Sequence, residues 1–223
     1  MPVLAYIVVA VGAYLLGSIP TGFLVARAKG IDIQKSGSGN IGATNAMRVL
    51  GKPAGIFVML ADCAKGYVAC AFLAPLIHDH LAPHFSGLFL YFQNEPVEIQ
   101  MKFYMAAGIP AVLGHNYPCW LKFKGGKGIA TTAGVYLALA PEALGIALAV
   151  FILAVLITRY VSLGSIVAAI VLPVAVWFTK ENLFLEIVTT ALCALAIYKH
   201  KSNIKRLMAG KESRLEKRTE AAK

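Results

Sequence analysis

The stretch GIATTAGVYLALAPEALGIALAVFILAVLIT (residues 128–158) decides how many times this chain crosses a membrane. As a single helix it would run to about 46 Å, whereas the hydrocarbon core of a bilayer is about 30 Å thick. Pro141 and Glu142 stand in its middle, and a proline followed by an acid is typical of the first turn of a helix. We therefore predict two spans here, 128–140 and 143–158.

The remainder of the chain has the composition of a membrane protein. Of its 223 residues, 58% are hydrophobic, and the mean hydropathy is +0.70. Such values are far from those of a soluble domain. Five further apolar segments are long enough to cross a bilayer, and the first has the features of a retained helix rather than a signal peptide. The sequence thus predicts an all-α protein with seven transmembrane helices, the other five being roughly 3–26, 53–77, 103–121, 162–178 and 183–198.

The distribution of basic residues orients these helices. With the N-terminus outside and the C-terminus cytoplasmic, all but three of the 21 Lys and Arg residues face the cytoplasm, the exceptions being Lys65, Lys102 and Lys180. This agrees with the positive-inside rule. A single span over 128–158 would instead place Arg159 and the basic C-terminus outside. Membrane orientation also explains the net charge of +10, so no nucleic-acid partner is predicted.

We predict one membrane domain over residues 1–210 and a charged, flexible cytoplasmic tail over 211–223. The four cysteines are scattered without C-x-x-C spacing, which argues against a disulfide framework or a zinc site. The predicted external loop 78–102 contains His78, His80, His84 and Glu95. Their spacing is irregular, so we predict no metal ion.

The glycine-rich stretch KSGSGNIGATN (residues 35–45) lies on the predicted cytoplasmic side. Gly37, Gly39 and Gly42 allow successive backbone N–H groups to point into one concavity, where they can bind an anion. Side-chain donors that suit phosphate oxygens surround them: Ser36, Ser38, Asn40, Thr44 and Asn45. A flexible linker is the alternative interpretation. The pattern is not a Walker A loop, because G-x-x-x-x-G-K-[ST] is absent.

Two more polar stretches fall on the same side, so the three could form one site. In FKGGKGIATT (residues 123–132), Lys127 precedes an apolar helix whose N-terminus would attract an anion. In YKHKSNIKRL (residues 198–207), His200, Asn203 and Arg206 share one helical face. The alternatives are lysines that anchor the protein at the membrane surface and a solvated basic helix end.

Two charges lie within a predicted span. Asp62 and Lys65 are three residues apart in the second span, where a charge is costly unless it is paired. We predict that they form a neutralising structural pair, and direct participation in the chemistry is the alternative. His115, in GHNYP (residues 114–118), is predicted to support the adjacent loop by hydrogen bonding.

Six motifs occur in order over about residues 10–210. Taken together they resemble those of the bacterial acyl-phosphate:glycerol-3-phosphate acyltransferase family, small integral membrane enzymes with seven spans. The motifs are GSIPTG at 17–22, SGSGNIGATN at 36–45, DCAKG at 62–66, GHNYPCWLKFKGGKGIAT at 114–131, RYVSLGSI at 159–166 and HKSNIKRL at 200–207.

This resemblance implies an activity: transfer of a fatty acyl group from acyl phosphate to the 1-hydroxyl of glycerol 3-phosphate. The products would be lysophosphatidic acid and inorganic phosphate, in the opening step of phospholipid synthesis. The expected location is the bacterial inner membrane, with the site facing the cytoplasm. The expected partners are both substrates, membrane lipid and an enzyme that forms acyl phosphate, and no cofactor is expected.

The motif match, together with the argument for anion binding, assigns the site residues. Lys127, Asn40 and His200 are expected to act closest to the chemistry. Ser36, Gly37, Ser38, Gly39, Thr44, Asn45 and Arg48 are expected to bind phosphate. Asn203 would complete the glycerol-phosphate pocket, with Ser162 and Ser165 as additional candidates.

The chemistry needs no covalent intermediate, because acyl phosphate is already an activated anhydride. Soluble-domain acyltransferases of glycerol phosphate typically have an Asp five positions after a His, and none of the histidines here is followed by one. The pattern G-x-S-x-G, which marks a nucleophile elbow, is also absent. Substrate-assisted catalysis is therefore the predicted mechanism. Two other classes of protein stay open: an anion transporter that uses the glycine loop, and a membrane scaffold whose basic tail binds anionic lipid.

Overall fold

The computed structural model of the protein describes residues 3–81, 97–180 and 182–215. In this part of the chain every regular element is helical. The chain forms two compact units, Met1–Pro141 and Glu142–Lys223. The boundary coincides with the proline and acid at which the sequence predicts a new helix, and that break is confirmed, since one helix ends at Leu139 and the next begins at Pro141.

Among its described residues, the first unit contains seven α-helices. A π-helical segment, Ala69–Leu73, joins the fourth helix to the fifth, and a short 3-10 turn, Cys119–Leu121, follows the sixth. The helices are α1 Val3–Ser18, α2 Thr21–Ala28, α3 Ala43–Leu50, α4 Lys52–Val68, α5 Ala74–Leu81, α6 Val97–Asn116 and α7 Ile129–Leu139.

The predicted span 3–26 is found as a helical segment, Val3–Ala28, that is long and apolar enough to cross a membrane, but it is not one continuous helix. The helix stops at Ser18 and resumes at Thr21, with Ile19 and Pro20 between. Pro20 has no N–H to donate to the preceding turn, and it stands at the N-cap of α2, where no such N–H is needed. The break also leaves the Ile19 carbonyl accessible to a side chain, and Lys65 donates to it.

Small residues let the helices of this unit approach closely. A Cβ added to Gly17 of α1 would overlap the Ala111 carbonyl of α6, and one added to Gly134 of α7 would overlap the Cys63 carbonyl of α4. Such contacts between backbones are typical of helix pairs in membranes, where apolar burial adds little attraction between helices. Gly55 of α4 similarly meets Met47 of α3, so α4 packs against both α7 and α3.

The second unit is built from α8 Pro141–Thr158, α9 Val161–Lys180, α10 Leu183–Lys199 and α11 Lys201–Met208. Helix α9 packs against α10. The amide oxygen of Asn182 accepts from the Leu185 N–H (2.9 Å) and so caps α10. At His200 the chain bends by 56° into α11.

Four helical segments of the described chain are individually long and apolar enough to cross a membrane: Val3–Ala28, Lys52–Ile77, Pro141–Thr158 and Val161–Thr179. Helices α10 and α11 make a fifth if the bent pair counts as one span, and α7 is a shorter apolar helix of 11 residues. Their surfaces suit lipid, since Leu156, Ile157 and Phe178 are 72%, 73% and 77% exposed. The count of seven spans stays a prediction.

Helices extend into the predicted external loop 78–102, because α5 continues to Leu81 and α6 begins at Val97. The predicted absence of a metal ion there concerns His78, His80, His84 and Glu95. Those side chains lie outside the described residues.

Candidate active site

The glycine-rich loop is folded around one buried side chain, Asn45, in the first turn of α3. Its amide nitrogen donates to the carbonyls of Ile33 (3.3 Å), Ser36 (3.0 Å) and Asn40 (2.8 Å). Its amide oxygen accepts from the Ser38 N–H at 2.8 Å. Asn45 is only 2% exposed. Its hydrogen-bonding capacity is therefore used within the loop, which supports a role in shaping the loop.

Two glycines are required by this arrangement. Gly37 and Gly39 have φ of 59° and 72°, a region that other residues rarely adopt. A Cβ on Gly37 would also overlap the amide oxygen of Asn45. The loop thus has a defined conformation set by its own hydrogen bonds, which favours a binding loop over the flexible linker that the sequence left open.

The other loop residues divide into those that brace the turn and those on its surface. The Asn40 amide oxygen accepts from the backbone N–H two residues on (2.8 Å), and the Ser36 hydroxyl donates to the carbonyl four residues before it (2.8 Å). Ser38, Thr44 and Arg48 are exposed. Thr44 and Arg48 are one turn apart on α3, so they share its polar face.

Lys127 lies on a second ordered loop. The Gly126 N–H donates to the His115 carbonyl (3.0 Å), and a Cβ on Gly126 would overlap the His115 ring. The His115 backbone carbonyl therefore supports the loop by hydrogen bonding, while such a role for its side chain stays a prediction. Gly128 has φ of 83° and leads directly into α7, so Lys127 stands at the N-terminal, electropositive end of that helix.

The structure brings these two loops together within the first unit. The Gln34 amide donates to the Lys124 carbonyl (3.4 Å), and Leu121 packs on the core cluster that contains Ile33 and Ile41. At the start of α7, the buried hydroxyls of Thr131 and Thr132 have no hydrogen-bond partner among the described residues. Backbone amides, hydroxyls and cations therefore lie on adjoining segments, as an anion site requires.

Beneath the loops, Asp62 and Lys65 form the predicted pair. The Lys65 ammonium is 2.6 Å from the Asp62 carboxylate, and the two side chains are 7% and 4% exposed. The His115 Nδ1 is 3.6 Å from the same carboxylate, beyond hydrogen-bond distance. Because Lys65 also donates to the Ile19 carbonyl, the pair links α4 to the break after α1.

In the second unit, Ser162 and Asn203 converge on a residue that the sequence analysis missed. The Ser162 hydroxyl and the Asn203 amide both donate to the Glu212 carboxylate, at 2.9 and 2.8 Å. Arg206 adds a third bond at 2.6 Å. Ser165 does not join this group, since its hydroxyl donates to the Val161 carbonyl (2.9 Å).

His200 lies at the bend between α10 and α11 and is 3% exposed. Its Nδ1 is 2.7 Å from the Ala196 carbonyl. A carbonyl can only accept, so Nδ1 carries the hydrogen, and in the neutral ring Nε2 is then an acceptor.

Glu212 lies in the stretch for which the sequence predicts a flexible tail. Burial by itself would raise the pKa of this carboxyl, but the hydrogen bonds from Asn203, Arg206 and Ser162, together with the Arg206 charge, outweigh burial and lower the pKa below its ordinary value. The carboxylate is therefore ionised at neutral pH. A glycine just past the end of a helix is the sequence signal for a chain reversal, and Gly210 holds that position after α11, with φ of 66°. Residues 216–223 of the tail lie outside the described residues.

Comparison with known proteins agrees with this geometry. The family model described as glycerol-3-phosphate acyltransferase matches residues 7–210. The chain belongs to the glycerol-3-phosphate acyltransferase family. Curated members include glycerol-3-phosphate acyltransferases of Trichlorobacter lovleyi, 46% identical over 91% of this chain and 94% of the relative, and of Clostridioides difficile, 42% identical over 99% of this chain and all of the relative.

The solved structures that this acyltransferase resembles belong to a glycerol 3-phosphate acyltransferase as well. It is similar to PlsY, an integral membrane glycerol 3-phosphate acyltransferase, in its glycerol 3-phosphate form, with a TM-score of 0.79, 34% identity and coverage of 95% of this chain and 96% of the other. The lysophosphatidic acid form of PlsY gives a TM-score of 0.76, again at 34% identity and with 95% of each chain covered. The chain is thus a multi-pass membrane protein of this family.

The buried pair makes a stability prediction. Asp62→Ala should lower the free energy of unfolding by about 3–5 kcal/mol, because it leaves the Lys65 ammonium buried without its counter-ion. The double variant Asp62→Leu/Lys65→Met should recover much of that loss. Thermal unfolding of the purified protein in detergent measures both, and a single variant as stable as wild type would contradict the structural role of the pair.

Proposed function

We propose that this protein transfers a fatty acyl group from acyl phosphate to the 1-hydroxyl of glycerol 3-phosphate, giving lysophosphatidic acid and inorganic phosphate. Family membership supports acylation of glycerol 3-phosphate, and the solved relatives are described in glycerol 3-phosphate and lysophosphatidic acid forms. The observation that carries the proposal is the ordered glycine loop, closed by Asn45 and adjoining the Lys127 loop. Two anionic substrates need such a surface.

The choice of donor follows from what the chemistry requires. An acyl phosphate carries its own leaving group, so the protein has to hold two phosphates without repulsion and to orient the hydroxyl on the acyl carbon. Backbone amides of the glycine loop, Lys127 and Arg48 supply positive potential. Gly37 and Gly39 let the backbone approach phosphate oxygens closely.

The proposed mechanism is substrate-assisted. The 1-hydroxyl oxygen bonds to the acyl carbon, its proton passes to a phosphate oxygen, and the bond between the acyl carbon and the phosphate oxygen breaks. Lys127, at the N-terminus of α7, stabilises the negative charge that develops. Asn40 belongs to the same phosphate-binding group, as do Ser36, Ser38 and Thr44. We assign Asn45 to shaping the loop rather than to contacting substrate.

From the second unit we propose His200, Asn203 and Ser162 as substrate contacts. His200 would contact a substrate hydroxyl, with the orientation of its ring set by the Nδ1 contact to the Ala196 carbonyl. Asn203 and Ser162 are buried side chains, 6% and 7% exposed, whose orientation is set by hydrogen bonds. Ser165 is the weaker candidate, because its hydroxyl bonds within α9.

The donor is tested with purified protein, glycerol 3-phosphate and either palmitoyl phosphate or palmitoyl-CoA. We expect lysophosphatidate and stoichiometric phosphate only with palmitoyl phosphate. Product from palmitoyl-CoA alone would overturn the assigned donor. Reconstitution in sealed vesicles adds a control, because glycerol 3-phosphate crossing the bilayer without turnover would indicate the transporter alternative.

Lys127→Ala should lower kcat/KM by roughly 10²–10³-fold, because it removes a cation from the developing charge. Lys127→Arg should retain part of the activity. Lys122→Ala removes an exposed lysine of the same loop and serves as the matched control. Steady-state phosphate release measures all three, and an equally active Lys127→Ala enzyme would rule out the electrostatic role.

We also propose seven spans in a bacterial inner membrane, with the N-terminus outside and the active site facing the cytoplasm, where an acyl-phosphate-forming enzyme would supply the donor. In a cysteine-free background, Lys52→Cys and Lys201→Cys should react with an impermeant maleimide only after permeabilisation. Lys180→Cys, on the opposite side, should react in intact spheroplasts. Labelling of Lys201→Cys in intact spheroplasts would refute this topology.

A further inference from the structure

The ring of His115 lies between the buried Asp62–Lys65 pair and the loop that carries Lys127. His115 is 6% exposed and stands near the end of α6. Its Nδ1 is 3.6 Å from the Asp62 carboxylate, which in turn is 2.6 Å from the Lys65 ammonium. Its other nitrogen, Nε2, is the atom nearest to a Cβ built on Gly126. One side chain therefore contacts both the buried pair and the loop.

The contact between Gly126 and this ring leaves no room for a side chain. A Cβ added to Gly126 would overlap Nε2, and the next nearest atoms, Cε1 at 2.7 Å and Cδ2 at 2.9 Å, belong to the same ring. The φ of Gly126 lies outside the left-handed region, so the backbone conformation does not require glycine there. At the neighbouring Gly125, a Cβ would instead overlap the His115 backbone carbonyl and the Pro118 ring. The imidazole is thus what requires glycine at position 126.

Lys127 is held in place through the residues on both sides of it. Before it, the Gly126 N–H donates to the His115 carbonyl (3.0 Å), and the Gly126 backbone packs on the imidazole. After it, Gly128 has φ of 83°, and a Cβ there would lie 2.9 Å from the Asn116 amide oxygen. Two consecutive residues at the end of α6 therefore set the backbone on each side of Lys127.

We propose that His115 is a positioning residue of this acyltransferase, whose imidazole holds Gly126 and thereby sets the position of the Lys127 ammonium. The inference rests on the proposed function, which assigns Lys127 to the charge that develops during acyl transfer. An ammonium on a flexible four-carbon stem can occupy many positions, so fixing where the stem begins narrows the positions from which it acts. The Asp62–Lys65 pair then serves activity as well as stability, because it faces the opposite side of the ring.

A histidine in this place has one other interpretation, that it acts on the substrate as a general acid or base. That role requires a ring nitrogen within hydrogen-bond reach of the substrate. In His115 one nitrogen faces the Asp62 carboxylate and the other is covered by Gly126. The geometry favours positioning. The two roles also differ in whether the effect of His115 depends on Lys127.

The first test is a double-mutant cycle with Lys127, assayed with glycerol 3-phosphate and palmitoyl phosphate. His115→Ala should lower kcat roughly ten- to a hundred-fold and leave the KM for glycerol 3-phosphate within about threefold, since a displaced ammonium is lost mainly from the transition state. In the Lys127→Ala background the same substitution should change kcat less than about twofold. In the Lys122→Ala background, the matched control, it should cost as much as in wild type.

The second test uses the difference between the two adjacent glycines. Gly126→Ala should lower kcat and the midpoint of thermal unfolding, because the added methyl group overlaps the ring. His115→Ala removes the ring, so the double variant should return to the values of His115→Ala alone. Gly125→Ala is the control. Its overlap is with the His115 carbonyl, which alanine retains, so His115→Ala should bring no recovery there.

The outcomes separate the inference from the proposed function. An equal loss of kcat from His115→Ala with and without Lys127 would overturn the positioning role, and so would equal recovery, or none, at both glycines. Thermal unfolding in detergent measures the contact without turnover. Wild type that is inactive with either donor would instead overturn the proposed function, and the role of His115 toward Lys127 with it.

Discussion

Polar groups that lie inside an apolar helical protein have to find partners within the chain, because neither lipid nor a packed core can supply hydrogen bonds. Three pairings in this structure follow from that constraint. Asn45 satisfies the carbonyls of the glycine loop, Lys65 and Asp62 neutralise each other, and Glu212 collects three donors. Asn45 and Glu212 each join separate segments of the chain, and Lys65 also reaches the Ile19 carbonyl at the break after α1.

These pairings place the candidate site on rigid supports. The glycine loop is closed by the side chain of a helical residue, and the Lys127 loop is closed by the His115 carbonyl. A binding loop that is ordered before substrate arrives loses less conformational entropy on binding. The proposed reaction brings two anions together, so preorganised donors are more useful than flexible ones.

In the second unit, hydrogen bonds likewise orient the polar side chains at the bend between α10 and α11. His200 ends one helix, and its Nδ1 contact with Ala196 sets the orientation of the ring. Three residues later Asn203 turns toward Glu212. The positions that the motif HKSNIKRL contributes are thus oriented by backbone and carboxylate contacts, and their chemistry depends on which atoms those contacts leave available.

Residues with local effects could be predicted from the sequence. Pro141 begins a helix, because a missing N–H costs nothing in the first turn, and two charges three residues apart in a span are expected to pair; both predictions are confirmed. The break at Ile19 and Pro20 within the first span was not predicted, although Pro20 acts by the same local rule. In that case the apolar length of the segment was given more weight than its proline.

The sequence by itself therefore determined the membrane class, the helix break at Pro141 and the motifs that identify the family, since hydropathy, proline and residue order are properties of short segments. Only the tertiary structure decided that Asn45 shapes the loop and that Glu212 faces Ser162, fifty residues away along the chain. Such pairings depend on which segments the fold brings together. No local pattern encodes them, because the same asparagine or glutamate in a solvated loop would bind water.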